Sequence, residues 1–198
     1  MTTITLPLTP RPNGMAWKLI QPSQVNTSEW TGARQVLPSN RGWWECQYSL
    51  PVIAGTDNVA AWRSFFAQAR GAANDFQVPV DVVAQSKLPN TVLVRGAGQT
   101  GRSIITDGWP ANTTVLKAGK HFVTIGDQLL QLTANATSDG SGIATLTFEP
   151  AIRAAPADNA PVEYRNPYAL MYMVEEPQVS VEPAHIYTLG SLNLRESF

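Results

Sequence analysis

The residues able to do chemistry are few and scattered. The single cysteine, Cys46, lies in Trp43-Trp44-Glu45-Cys46-Gln47-Tyr48, and being alone it excludes an internal disulfide and any multi-thiolate metal site. In an aromatic, strand-like stretch it reads as a small buried hydrophobe rather than a nucleophile. The two histidines, His121 and His185, have no second His, Cys or carboxylate at ligand spacing. A Ser-His-Asp triad would need an elbow such as G-x-S-x-G, which the sequence lacks. Glu175 and Glu176 are adjacent, so on a strand they face opposite ways and cannot work as an acid/base pair. A solvated face or a subunit contact is their expected role. No catalytic residue, metal or cofactor is assigned, and the chain does not read as an enzyme.

Gly96-Ala97-Gly98-Gln99-Thr100-Gly101 matches the G-x-G-x-x-G pattern and comes within one residue of a P-loop. Both motifs need a helix at the last glycine, because the phosphate rests on that helix's first amides. Ile104-Ile105, Asp107-Gly108 and Trp109-Pro110 leave no room for one. This segment reads as a connection between domains. Tryptophan is the unusual feature, with 6 in the chain, and Trp30, Trp43 and Trp44 cluster near one expected hairpin. Aromatics at this density mark core or interface, so these three, with Glu175 and Glu176, are the candidate contact residues.

The elements that must position them are mostly strands. Pro7, Pro10 and Pro12 make the first 15 residues an extended arm, an edge strand or a loosely tied terminus. From Ser28 to Leu50 the pattern is strand-like: Glu29-Trp30-Thr31 and residues 34–37 lead into the turn cluster Pro38-Ser39-Asn40-Arg41-Gly42, and 43–50 read as the return strand. One helix is expected over about 57–70, capped by Thr56, Asp57 or Asn58. Val59, Trp62, Phe65, Phe66 and Ala69 fall within about a 120° arc at 100° per residue, and Gly71 stops it. Residues 115–162 carry short strands and tight turns (Gly126-Asp127, Asp139-Gly140) at spacings of about ten residues, the texture of a small barrel. Tyr168 to Val174 is nearly continuous apolar, so it is buried on both faces or at an interface.

Charged residues are 15% of the 198, and 14 Lys and Arg against 15 Asp and Glu give a net charge of −1. That balance offers no support for wholesale nucleic-acid or anionic-membrane binding. It also gives little colloidal repulsion, which suits life inside an assembly. The start has no basic n-region followed by an apolar h-region, and no apolar run approaches the roughly 18 residues of a spanning helix.

Four stretches, taken in order and spacing, carry a resemblance. They are Trp62-Arg63-Ser64-Phe65-Phe66-Ala67-Gln68-Ala69-Arg70-Gly71 with Phe76-Gln77-Val78-Pro79; Gln99-Thr100-Gly101-Arg102-Ser103 with Asp107-Gly108-Trp109-Pro110; Leu116-Lys117-Ala118-Gly119-Lys120 with Ile125-Gly126-Asp127-Gln128; and Ala144 to Pro150 with Ile152-Arg153 and Ala155 to Asp158. Over most of its length the chain resembles the distal tail proteins of long-tailed bacteriophages. The resemblance implies a mainly β fold: a tail-tube-like β-sandwich with one flanking helix, built from residues 1–95 and completed by 166–198. A small β-barrel is inserted at 96–165. It further implies a homo-hexameric ring at the virion's tail tip, made in the host bacterial cytoplasm. The ring would join the tail tube protein to the hub and tip proteins, with the tape measure protein, then DNA, in its lumen. Neither specific nucleic-acid binding nor membrane insertion is implied. A tail-tube or tail-terminator subunit is the near alternative. A carbohydrate-binding β module, motivated by the tryptophans, is the alternative of another class.

Overall fold

The structure is a computed structural model, and it describes residues 2–182 and 186–198. The described residues are mainly β, with one α-helix among them. The strands are β1 (Thr3–Ile4), β2 (Gly14–Ile20), β3 (Ser23–Thr27), β4 (Arg34–Pro38) and β5 (Trp43–Ser49), followed by the helix α1 (Thr56–Ala69). Then come β6 (Asp75–Pro79), β7 (Leu93–Val94), β8 (Gly101–Asp107), β9 (Thr114–Leu116), β10 (Phe122–Ile125), β11 (Gln128–Leu132), β12 (Ala136–Thr137) and β13 (Ala144–Ile152). The last are β14 (Val162–Glu163), β15 (Tyr168–Met173), β16 (Val179–Glu182), β17 (Ile186–Leu189) and β18 (Leu192–Glu196).

The first sheet has six strands in the order β1-β6-β15-β18-β5-β2. Period-two alternation fixes its faces. Trp44, Cys46 and Tyr48 of β5 point inward with Ala169, Met171 and Met173 of β15 and Leu192 and Leu194 of β18. Helix α1 covers part of this face with Val59, Trp62, Phe65 and Ala69, and Phe65 meets Phe76 edge-on at 4.9 Å. The β16–β17 hairpin adds Tyr187 and Leu189 to the same core. The helix is not started by a Thr56, Asp57 or Asn58 side chain: Gly55 is its N-cap, with no side-chain capping bond. It ends where Arg70 and then Gly71 turn left-handed.

The N-terminal stretch is neither a free arm nor a loose terminus. β1 pairs with β6, Leu6 is buried, and the Trp62 indole donates to the Thr9 carbonyl at 2.9 Å. Tyr168 to Met173 is not buried on both faces: Leu170 and Tyr172 lie half-buried on the sheet's outer side.

The second sheet has the order β14-β10-β11-β13-β8-β7, and its two edges nearly meet. The Val162 amide donates to the Val92 carbonyl, and Val94 and Asn159–Ala160 exchange amides and carbonyls at 2.9 Å. Closure of this kind satisfies edge groups that would otherwise stand open. Its own core runs from Val92 to Tyr164 and includes Trp109, Leu130, Leu146 and Phe148. The expected boundary at 96 therefore falls a few residues late, because β7 belongs to this sheet. Gly142, with φ +73, is required here, since a methyl on it would fall 2.3 Å from the Trp109 carbonyl oxygen.

The two units are joined by more than the chain. Trp44 packs edge-on against Phe122 at 5.6 Å and donates its indole N–H to the Leu129 carbonyl at 3.0 Å. Glu196, fully buried, receives the amides of Trp44 and Leu129 and pairs with Arg153. One carboxylate thus ties β5 and β18 of the first sheet to β11 of the second and to Arg153, the residue after β13. Burial pushes its pKa up, while Arg153 and the two amides pull it down.

Candidate interaction surface

β2 and β5 pair from Gly14↔Ser49 to Ile20↔Trp43, and β3 and β4 from Ser23↔Pro38 to Thr27↔Arg34. The register slips by two residues between them, so 14–49 form one long kinked ribbon. The sequence pattern predicts that the strand-like residues 29–31 and 34–37 run into a hairpin with 43–50, but 29–31 lie in a turn and 34–38 pair with 23–27. Instead the cluster Pro38 to Gly42 is the kink where the ribbon leaves the sheet, and the true turn is Ser28 to Ala33.

Beyond the kink the ribbon touches little else. Every residue of β3 and β4 is exposed, including Val25, Val36 and Leu37. Trp30, at the turn, is 97% exposed. The turn is nonetheless built: the Ser28 amide donates to the Ala33 carbonyl and the Gly32 amide to the Ser28 carbonyl, both at 2.9 Å. The Thr31 amide donates to the Ser28 hydroxyl.

The root of the ribbon is clamped. The Gln21 amide group donates to Glu149 at 2.9 Å, Glu149 pairs with Arg102 at 2.7 Å, and Arg153 donates to the Gly42 carbonyl at 3.0 Å. A methyl on Gly42 would meet Pro150 at 2.9 Å, so glycine lets the ribbon lie against β13. Between this root and the second sheet opens a cleft of about 830 Å³, lined by Arg41, Trp43, Arg102, Ile152 and Phe198 among others.

The candidate contact residues divide sharply. Trp30 is bare. Trp43 is half-buried on the sheet's outer face beneath the Arg195 guanidinium, 4.4 Å from its ring centre. Trp44 is not a surface residue at all: it is 3% exposed, because Phe122 and Leu129 cover it. Glu175 and Glu176 do not lie on a strand, since β15 ends at Met173; both are exposed in the bend that follows. The structure does not bring these residues together. Sequence reasoning also missed Glu196 and Arg153, whose roles depend on partners distant in the chain.

The other tempting groups are structural. The glycine run 96–101 enters strand β8 directly, and Gln99 ties it by accepting from the Ile105 amide at 2.7 Å. His121 is buried, and its Nδ1 accepts the Lys117 amide at 2.8 Å; burial pushes its pKa down, so the imidazole is neutral. His185 lies outside the described residues. Burial holds the Cys46 thiol up at about 12, which makes it inert. A second cleft, about 620 Å³, has Asp127, Glu163 and Tyr168 on its walls. Its acids hold local structure: Asp127 accepts the Tyr168 hydroxyl at 2.8 Å, and Glu163 accepts the amides of Arg165 and Asn166 at 2.7 Å. Burial, then Asp127, raise the Tyr168 phenol to about 12. No group of three His, Cys, Asp or Glu among the described residues could hold a metal. No helix among them is long and apolar enough to cross a membrane.

No protein-family model matches the sequence, and no curated protein matches it.

Proposed function

We propose that this chain is a structural ring subunit, a distal tail protein joining the tail tube to the hub at a long-tailed phage's tail tip. The observation that carries the reading is the ribbon: clamped at its root, built at its turn, and bare beyond the kink. A ribbon that keeps Val25, Trp30, Val36 and Leu37 in water gains nothing from them within one chain. It is suited to contact with another subunit. The six-stranded sheet supports the same reading, because β2 has strand β5 on one side and no strand among the described residues on the other. A seven-residue edge and a projecting ribbon are different surfaces, as the head-to-tail contacts of a ring require.

A ring of this kind needs no catalysis, and its partners are further copies, the tube, the hub and the tape measure in the lumen. The near-zero net charge is compatible with DNA passing through. The sugar-binding reading loses its motive here, because Trp30, Trp43 and Trp44 form no shared platform. Light scattering on a sizing column, with negative-stain images of the peak, tests the proposal. The expected result is a particle of six times 21.5 kDa with a central hole. A monomer that binds a defined glycan, and forms no ring with tube or hub proteins, would replace this reading with the sugar-binding one.

A further inference from the structure

The ribbon carries four charged side chains without a side-chain hydrogen bond or ion pair among the described residues, Lys18, Glu29, Arg34 and Arg41, and of these Glu29 alone is acidic. Glu29, beside Trp30 at the turn, makes no side-chain hydrogen bond or ion pair among the described residues. Arg41, at the kink, likewise makes none with its guanidinium, whereas Arg102 and Arg153 in the same cleft are paired with Glu149 and Glu196. Glu29 and Arg41 cannot meet in one chain. About seven residues of extended strand, at roughly 3.3 Å each, hold them some 20 Å apart. Both are exposed and solvated in the single chain, and another copy can bring an opposite charge to each.

The cleft at the root has what the turn lacks. It is about 830 Å³, room for an indole with its neighbouring residues, and is lined by Ile152, by Trp43 with the Arg195 guanidinium 4.4 Å from its ring centre, and by Phe198, 72% exposed with the Arg153 guanidinium 4.4 Å from its ring centre. Arg41 lies on its wall. The turn offers an exposed indole next to a carboxylate.

We infer that the turn of one copy, Glu29-Trp30, docks into the root cleft of the next copy, with Trp30 among Trp43, Ile152 and Phe198 and Glu29 against Arg41. Turn and cleft are different patches, so the contact is heterologous: each copy gives one and receives one, and the chain of contacts closes when the rotation allows. This rests on the ring reading, since the occupant is a second copy. It adds which residues recognise which.

Charge exchange and cross-linking test it on the full chain. Glu29→Arg and Arg41→Glu are exposed changes that leave the fold intact. Each alone is expected to weaken self-association by about tenfold, and the double exchange to restore it to within about threefold, as a direct pair requires. Trp30→Ala should weaken it by about thirtyfold, the usual cost of a buried interface tryptophan. A Glu29→Cys chain mixed with an Arg41→Cys chain should form a disulfide heterodimer on mild oxidation, well above the yield with Lys87→Cys as partner. Buried Cys46 gives no background.

Rings that form unchanged in the charge-reversed and Trp30→Ala chains, with no preferred cross-link, overturn this contact and leave the ring reading standing. A wild-type chain that does not assemble, together with no preferred cross-link between the Glu29→Cys and Arg41→Cys chains, overturns both. A double exchange as weak as the two single changes combined overturns the Glu29–Arg41 pairing.

Discussion

The two halves of one ribbon have the same backbone and opposite fates. In the proximal half, β5 puts Trp44, Cys46 and Tyr48 into the core, with Trp44 against Phe122 and Leu129 of the second unit. In the distal half, β3 and β4 have apolar residues too, and all stay in water. Aromatic content does not separate the halves, since each holds tryptophan. What separates them is a second layer. The kink at Pro38 to Gly42 carries the distal half away from the sheet, and Gly42 holds that kink against Pro150. The buried contacts therefore lie below the kink, and the exposed strands of the distal half add none to the core.

The comparison breaks most visibly at Trp44. Trp44→Ala should cost about 3–5 kcal/mol in urea unfolding, because it removes a filled core position and orphans the Leu129 carbonyl. A cost under 1 kcal/mol would mean that the two units do not meet there. Arg153→Ala comes next, at about 3 kcal/mol, since it leaves the Glu196 carboxylate buried without its counter-charge. In the second unit, Gly142→Ala should cost about 2 kcal/mol or more, from a left-handed φ and a carbonyl in the way. Loss of near-ultraviolet signal from Trp109, with the first unit still cooperative, would show the damage confined to the barrel-like sheet.

These large effects fall at positions that sequence reasoning reads unevenly. Helix α1 was legible, because a 100° period with aromatics on one face admits no other reading, and Gly71 marks its end. The second unit was legible from tight turns at short spacing; Asp127, with φ +63, takes the left-handed conformation that Gly126-Asp127 suggested. The ribbon's pairing was not. Pro38-Ser39-Asn40-Arg41-Gly42 has stronger turn chemistry than Ser28 to Ala33, and it does bend the chain, but as a kink rather than a reversal. Trp44 and Trp30 could not be told apart, because burial is conferred by Phe122 and Leu129, about eighty positions downstream. Glu196 looked like an ordinary terminal charge; only Arg153 and two amides from elsewhere explain its burial.

A smaller effect separates the fixed body from the ribbon by pH. Burial depresses the His121 pKa below its ordinary 6.5. The unfolded chain therefore binds a proton that the folded chain resists. The stability this neutral imidazole supports is present above pH 6.5 and is lost as pH falls through that value toward the folded pKa. His121→Gln should flatten that part of the stability profile between pH 7 and 5, and an unchanged profile would mean that His121 stays open to water. The ribbon beyond the kink carries no histidine, so shortening it should leave the profile alone.

The smallest effect is the most telling. Trp30→Ala should change the unfolding free energy of the monomer by no more than about 0.5 kcal/mol, the range for exposed side chains without partners. Replacing residues 23–38 with Asn-Gly, a pair suited to a two-residue turn, should likewise leave the melting temperature within a few degrees. Tryptophan at a turn is an aggregation hazard, and a chain gains nothing by displaying one unless something covers it. If either change destabilises the monomer by more than about 1 kcal/mol, the distal half is folding structure and the division at the kink is misplaced. If both are silent in the monomer and damaging only to assembly, the cost of keeping Trp30 in water is offset between molecules rather than within one.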